Sequence, residues 1–232
     1  MIIISLSGHI GSGKSYIANK IREYAQNMGY NTIILSFAAI IKRFVYETTN
    51  TLKNGDKIIK RTENKNIANM IYPLLKRETK ELLEIIKTTN DENKGEIKML
   101  LRKIYQKIGE DVREHNEDFF VNYVINIIKK LPQEIDIVVI DDLRFKNEYK
   151  LLRKEFGKKY IAIYLERDIY EIIEQLGISK EQYMLSLQHI SETELEEVKN
   201  LCDIRLINSK YTNINEKISI LLWGLFNNEI LQ

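Results

Sequence analysis

Apolar residues along this chain follow two rhythms, and the changes between them divide it into elements. "IIISLS" (2–7) is a continuous apolar run, the pattern of a strand buried on both faces of a parallel sheet. From about 14 to 28 the spacing turns helical, with Ile17, Ile21 and Tyr24 on one stripe and a stop at Met28-Gly29. "NTIILSF" (31–37) is a second strand, followed by a short helix from about Ala38. Strand, loop, helix and strand at this spacing predict a βαβ unit, with a right-handed crossover and a parallel sheet.

The middle of the chain reads differently. Residues 48–64 are polar and turn-rich, an exposed excursion. Apolar residues from Ile67 to Ile86 then recur at helical spacing, and again from Ile97 to Ile108, with "TTNDENKGE" (88–96) as the loop between. These stripes are core packing, and the charges of "KRETKELLEIIK" are a solvated helix face. A further helix is predicted over 118–130, with Asp118 as its first-turn acid. The sheet pattern returns at 135–142, a strand ending in two aspartates. A helix over 145–156 stops at Gly157, and strands follow at 160–167 and 203–209. Residues 168–200 read as helical pieces and 214–227 as a closing amphipathic helix.

The pattern predicts an α/β fold: a parallel sheet flanked by helices, carrying a helical insertion and a lid segment. We expect one domain over 1–232. Its core comprises 1–47, 132–167 and 201–232, its insertion spans about 48–131, and its lid about 168–200.

Composition narrows the classes. Lys and Arg number 35 against 33 Asp and Glu, a net charge of +2, which gives no push toward nucleic acid or an anionic membrane. Stable nucleic-acid binding and membrane association are therefore not expected. Cys202 is the single cysteine, so an internal disulfide and a zinc cluster are both ruled out, and it reads as a small buried hydrophobe. "MIIISLSG" lacks the basic start of a signal peptide and runs straight into a glycine loop. The expected location is cytoplasmic.

The chemistry begins at "GHIGSGKS". Gly8, Gly13, Lys14 and Ser15 fit G-x-x-x-x-G-K-[ST], with Gly11 inside the loop, between an apolar strand and a helix. Glycines let successive backbone N–H groups turn inward around phosphate oxygens, and the helix adds its N-terminal dipole. The pattern points to ATP. Gly8, His9, Ile10, Gly11, Ser12, Gly13, Lys14, Ser15 and Tyr16 line the phosphate site, with His9 and Ile10 as spacers. Lys14 reaches the outer phosphates and the Ser15 hydroxyl coordinates Mg²⁺.

Asp141 and Asp142 stand at the C-terminal end of a strand, the edge where doubly wound sheets bind ligands. Either can orient the magnesium shell, or cap the next helix. Arg144 can aim a bidentate fork at a second phosphate or form a surface ion pair. The guanine motif and switch motifs of regulatory GTPases are missing, as is any motor or helicase array. What remains is the outline of a kinase for a small acceptor.

In this setting the chain resembles the phage-type deoxynucleoside monophosphate kinases, a branch of the P-loop nucleoside monophosphate kinase fold. The resemblance runs over about 2–226 in ordered blocks: "LSGHIGSGKS"; "FAAIIK", ending in Lys42; 101–124 with Gln106, Gly109, Asp111 and Arg113; "DDLRFKNE" with Asp142, Arg144, Phe145 and Glu148; "QHISE" (188–192); and "DIRLINS". It implies transfer of a phosphoryl group from MgATP to a deoxynucleoside monophosphate. Arg113 and Arg144 would clamp the acceptor phosphate, with Lys42, Gln106 and Asp142 completing the acceptor site. Each also has a plainer reading, as a solvated charge or polar surface residue. The loop departs from the family in carrying no Arg or Lys near Gly11-Ser12 and Ser15 where the family often has Asp. The presumed lid has no arginine of its own, so Arg167 at its root, or Lys180, is the candidate for closing over the transferring phosphate. His189 reads as a hydrogen-bonding residue of the lid.

Rival readings are another small-acceptor kinase of the phosphomevalonate or dephospho-coenzyme A type, and a regulatory module that only holds ATP. Two arginines converging on an acceptor favour a kinase over the module. A homodimer stays open.

Overall fold

The computed structural model describes residues 1–43 and 94–227, with side chains from 103 onward in the second stretch. The excursion expected at 48–64, the helical stripe of 67–86 and the loop from 88 to 93 lie outside the described residues. The chain divides into two units, Met1–Phe37 with Phe120–Gln232, and Ala38–Phe119.

In the first unit the strands are β1 (Ile2–Ser7), β2 (Thr32–Leu35), β3 (Ile137–Ile140), β4 (Tyr160–Glu166) and β5 (Ile204–Ile207). They form one five-stranded sheet in the order β2-β3-β1-β4-β5, parallel throughout. The order reverses on either side of β1, so the loop leaving β1 emerges at a switch point on the C-terminal edge, where such sheets open a crevice. β1 is buried along almost its whole length, which is why its sequence is apolar without alternation.

Helix α1 (Lys14–Asn27) lays Ile17, Ala18, Ile21 and Ala25 on one sheet face beside Ile4, Leu6, Val139 and Ile163. It ends as its sequence predicts: Gly29 takes φ 87° and Tyr30 N–H returns to Ala25 O at 2.9 Å. Each fully buried Ile or Leu in this layer contributes roughly 1.5–3 kcal/mol of transfer free energy. α2 (Lys94–His115) belongs to the second unit, and α3 (Phe119–Lys129) to the first from Phe120 onward. After β3 come α4 (Lys146–Phe156), and after β4 the pieces α5 (Ile169–Leu176), α6 (Lys180–Ser186), α7 (Ile190–Thr193) and α8 (Leu195–Leu201). The closing helix α9 (Ile214–Phe226) packs Ile218, Leu221 and Leu222 beside α1.

Short polar devices divide the lid segment. Asp168 caps α5 through the Tyr170 and Glu171 N–H groups, and Ser179 forms a capping box with Gln182 on α6. Burial pushes the Cys202 thiol up to about 12, in keeping with an unreactive packing role.

In the second unit a helical segment over 39–43 buries Ile40 and Ile41, and α2 buries Ile104, Ile108 and Val112. Two expectations need correction here. The helix starts at Lys94, inside the predicted 88–96 loop, and it continues past Ile108 to His115. Gly109 lets it continue in tight quarters, since a Cβ there would stand 3.1 Å from Arg113 Nη1 and 3.6 Å from Ile41 Cδ1. Asp118 also falls just ahead of α3, which begins at Phe119 with no acid in its first turn.

Candidate active site

The loop from Gly8 to Gly13 joins β1 to α1 at the C-terminal edge of the sheet. Gly13, at φ 92° and ψ 21°, turns the chain into the helix from the left-handed region, and the Asn208 side-chain amide fills the space its Cβ would need. Gly8 is similarly constrained: at φ 138°, a Cβ would lie 2.6 Å from Leu165 O. The loop is held from outside as well. Asn208 Nδ2 donates to Ser12 O at 2.8 Å, and Asn208 N–H to Glu166 O at 2.8 Å.

Lys14 curls back over the loop it ends. Its ammonium donates to Gly8 O at 2.5 Å and His9 O at 2.9 Å, with Ser12 Oγ at 3.5 Å. Burial, and then the positive charge of Arg144, push its pKa down to about 7, against the opposing pull of Glu192, Asp142 and Asp141. Two cations close enough for Arg144 to lower the proton affinity of Lys14, beside a glycine loop at the start of a helix, form a receptive setting for an oxyanion.

The paired aspartates separate into two roles. Asp141 Oδ2 accepts from the Ser15 hydroxyl at 2.8 Å, bringing two hard oxygen donors together beside the start of α1. Asp142 instead accepts from Ser36 Oγ at 2.6 Å and from Phe37 N–H at 2.7 Å, fixing the chain where it leaves β2. A cap does form at this aspartate, on the segment after β2 rather than on the helix following β3. Capping of α4 falls to Glu148, buried at 2% exposure, whose Oε2 accepts from Arg144 N–H at 3.0 Å and Phe145 N–H at 3.1 Å.

Arg144 forms a half-buried ion pair, its Nη1 donating to Glu192 Oε1 at 2.6 Å. Glu192, 1% exposed, reaches the loop with its other oxygen, accepting from Ile10 N–H at 3.2 Å and His9 Nδ1 at 3.1 Å. Burial alone would raise this carboxyl. The His9 hydrogen bond and the Arg144 charge outweigh it and bring the pKa down to about 2. His9 is therefore more than a spacer, with its ring also edge-on to Tyr164 at 6.5 Å. Arg167 Nη1 donates to Gly11 O at 3.3 Å and Nε to Glu171 at 3.3 Å, with Gln175 a further partner. Tyr16 is half exposed on the first turn of α1.

Lys14, Ser15, Asp141, Asp142, Arg144 and Arg167 thus share the first unit, together with the whole glycine loop. Lys42, Gln106 and Arg113 belong to the second. There Lys42 is exposed, Gln106 is half-buried, and Arg113 Nη1 donates to Gly109 O at 3.3 Å. Sequence reasoning gave no role to Glu192 or Asn208. The "QHISE" block contains Glu192, but nothing local marks a carboxylate that meets a loop 182 positions earlier. A cavity of about 590 Å³ opens beside the loop, walled in part by His9, Ser12, Tyr164, Arg167, Ile172 and Lys199.

Ser15 and Asp141 suit a hard cation such as Mg²⁺, which favours oxygen donors and keeps much of its shell as water and substrate phosphate. No cluster of three or more His, Cys, Asp or Glu that could hold a metal occurs among the described residues. No helix of the described residues is long and apolar enough to cross a membrane.

No protein-family model matches the chain, and no curated protein matches it in sequence. Among solved structures it is similar to TT1252 from Thermus thermophilus, at 17% identity over 96% of each chain with a TM-score of 0.46. It is similar to dephospho-CoA kinase from Campylobacter jejuni, at 16% identity over 98% of each chain with a TM-score of 0.42. Shikimate kinase from Acinetobacter baumannii aligns at 10% identity over 99% of this chain and 95% of that one, with a TM-score of 0.43. Likenesses this distant concern the course of the chain and carry no weight for what it acts on.

Proposed function

We propose that this chain is an ATP-dependent kinase that passes the γ-phosphoryl group of MgATP to the phosphate of a deoxynucleoside monophosphate, giving the diphosphate and ADP. The observation that carries the kinase reading is the convergence of Lys14, the Ser15–Asp141 pair and Arg144 around one glycine loop at the sheet's C-terminal edge. Phosphoryl transfer asks a protein chiefly to neutralise charge and hold two oxygens in line, and cations around an N–H cradle supply both. In this reading Lys14 faces the β- and γ-phosphates, and Ser15 with Asp141 would hold Mg²⁺, which would supply neutralisation of phosphate charge. Arg144 faces the transferring group from the other side. The cavity beside the loop is in the size range of small-ligand sites and is available to the donor's nucleoside end.

The deoxynucleotide acceptor rests on the sequence resemblance, with Arg113, Gln106 and Lys42 as its proposed partners. A dephospho-coenzyme A type acceptor is the second reading. The test is ADP release with MgATP and a panel of deoxy- and ribonucleoside monophosphates, with dephospho-coenzyme A and phosphomevalonate alongside. Turnover on a deoxynucleotide that collapses in Arg144→Ala supports the proposal. Tight MgATP binding with no acceptor turning over sinks it in favour of a regulatory ATP-holding module.

A further inference from the structure

Glu192 is the least expected group beside the loop. It sits on α7, a four-residue helix inside the lid segment, yet its side chain is fully buried. One oxygen takes the Ile10 N–H of the phosphate loop and the His9 ring, while the other takes Arg144 Nη1 at 2.6 Å. Arg144 Nη1 also approaches Ser191 Oγ at 3.4 Å, and that hydroxyl donates to His189 Nδ1 at 2.8 Å. His189 in turn caps α7 by accepting from Ser191 N–H at 3.1 Å. The stretch 189–192 therefore has its own internal order and delivers one carboxylate to two places.

Arg144 is held by one side only. Its Nε and Nη2 groups meet no hydrogen-bond acceptor among the described residues. A planar guanidinium keeps its donors in one plane, so holding Nη1 to Glu192 and Ser191 narrows the directions in which the remaining donors can meet an incoming phosphate. A carboxylate this close to a phosphate site is costly unless it does something else, because it repels the ligand.

We propose that Glu192 is a positioning residue: through its buried contacts with Ile10, His9 and Arg144 it locks the lid segment to the phosphate loop and holds the Arg144 fork toward the transferring phosphate. The inference rests on the MgATP reading of the loop. Lys14 and the Ser15–Asp141 pair bind phosphate and metal directly, whereas Glu192 acts through Arg144 and touches neither.

The two possible effects of Glu192 have opposite signs, and this makes the proposal testable. Glu192→Gln keeps an acceptor for the Ile10 N–H and removes the charge that faces Arg144. A mere bystander charge would, on removal, let MgATP bind more tightly whatever stands at 144. A positioning carboxylate gives the reverse while Arg144 is present. The experiment is a double-mutant cycle read by calorimetric MgATP affinity in wild type, Glu192→Gln, Arg144→Ala and the double variant. Glu192→Gln is expected to weaken MgATP about tenfold in the Arg144 background, the scale of one charge-assisted hydrogen bond. In the Arg144→Ala background it should leave affinity unchanged or tighten it. Glu192→Asp, which keeps the charge, should bind between wild type and Glu192→Gln, and it stands in if the Gln variant does not melt cooperatively. Equal effects in both backgrounds, or no weakening in the first, overturn the proposal. A wild-type protein that binds no MgATP removes the nucleotide reading itself, a different failure from an additive cycle.

Discussion

The Asn208 side-chain amide occupies the space where a Cβ on Gly13 would sit, while donating a 2.8 Å hydrogen bond to Ser12 O one residue earlier. The loop after β5 thus fixes the last turn of the phosphate loop from behind, and the glycine of the motif is required twice. It supplies a left-handed φ of 92°, and it admits Asn208.

Gly13→Ala should therefore destabilise the protein by more than the roughly 1–2 kcal/mol of a left-handed alanine alone. The excess should shrink in an Asn208→Ala background, where the clash is relieved but the backbone strain is not. Urea unfolding of the four proteins measures both terms. An excess that is identical in both backgrounds would place the cost elsewhere.

Glu192 gives the clearest dependence on pH. Its folded-state pKa is depressed to about 2 against an ordinary 4.5, so its stabilising contribution is complete above about 4.5 and is lost as pH falls toward 2. The groups that act on it include His9, Arg144, Lys14, Tyr164 and Tyr183. Between pH 4.5 and 2, wild type should lose stability more steeply than Glu192→Gln, by up to about 1.4 kcal/mol per pH unit. Denaturant melts at stepped pH decide it, and parallel curves would mean that the carboxyl is not held in this way.

Asp141 and Asp142 should separate under the same substitution. Asp141→Asn loses the charge beside Ser15 and is expected to lower Mg²⁺-supported turnover about 10- to 100-fold, with little loss of stability. Asp142→Ala removes the acceptor of Ser36 Oγ and Phe37 N–H and should cost about 0.5–2 kcal/mol, as loss of a helix cap does. Magnesium titration of activity and urea melts, run on both variants, distinguish the roles.

Much of the sheet was legible in the sequence because buried parallel strands are unbroken apolar runs: "IIISLS", "TIIL" and "IVVI" announce β1, β2 and β3 directly. The glycine loop was legible for a similar reason, since its geometry requires specific residues at fixed spacing. Pairings across long sequence separations were not. Nothing near Asp141 says that it will meet Ser15 rather than cap a helix, because that depends on β3 lying beside β1. Glu192 lies in a stretch that reads only as helical pieces, and Asn208 at the end of a strand, and only the folded chain brings them to the loop. The start of α2 at Lys94 was hidden by a polar run whose Gly and Asn resemble a turn.

Arg144 and Arg167, the two arginines beside the glycine loop, should fail in different ways. Arg167 donates to Gly11 O and pairs with Glu171, so it braces the back of the loop and the start of α5 together. Both its Nε and its Nη1 are engaged by protein. Arg144 has guanidinium donors to spare beside Lys14. Arg167→Ala should therefore loosen the loop and raise the MgATP Kd about tenfold, the scale of one charged hydrogen bond, with kcat changed far less. Arg144→Ala should lower kcat about a thousandfold, as loss of a charge-stabilising arginine does in phosphoryl transfer, with a smaller change in MgATP affinity. Steady-state kinetics paired with calorimetric affinities measure the split. If Arg167→Ala instead abolishes kcat at saturating MgATP, then Arg167 leaves Gly11 during turnover and serves the transferring phosphate itself, and the lid carries its catalytic cation at its root.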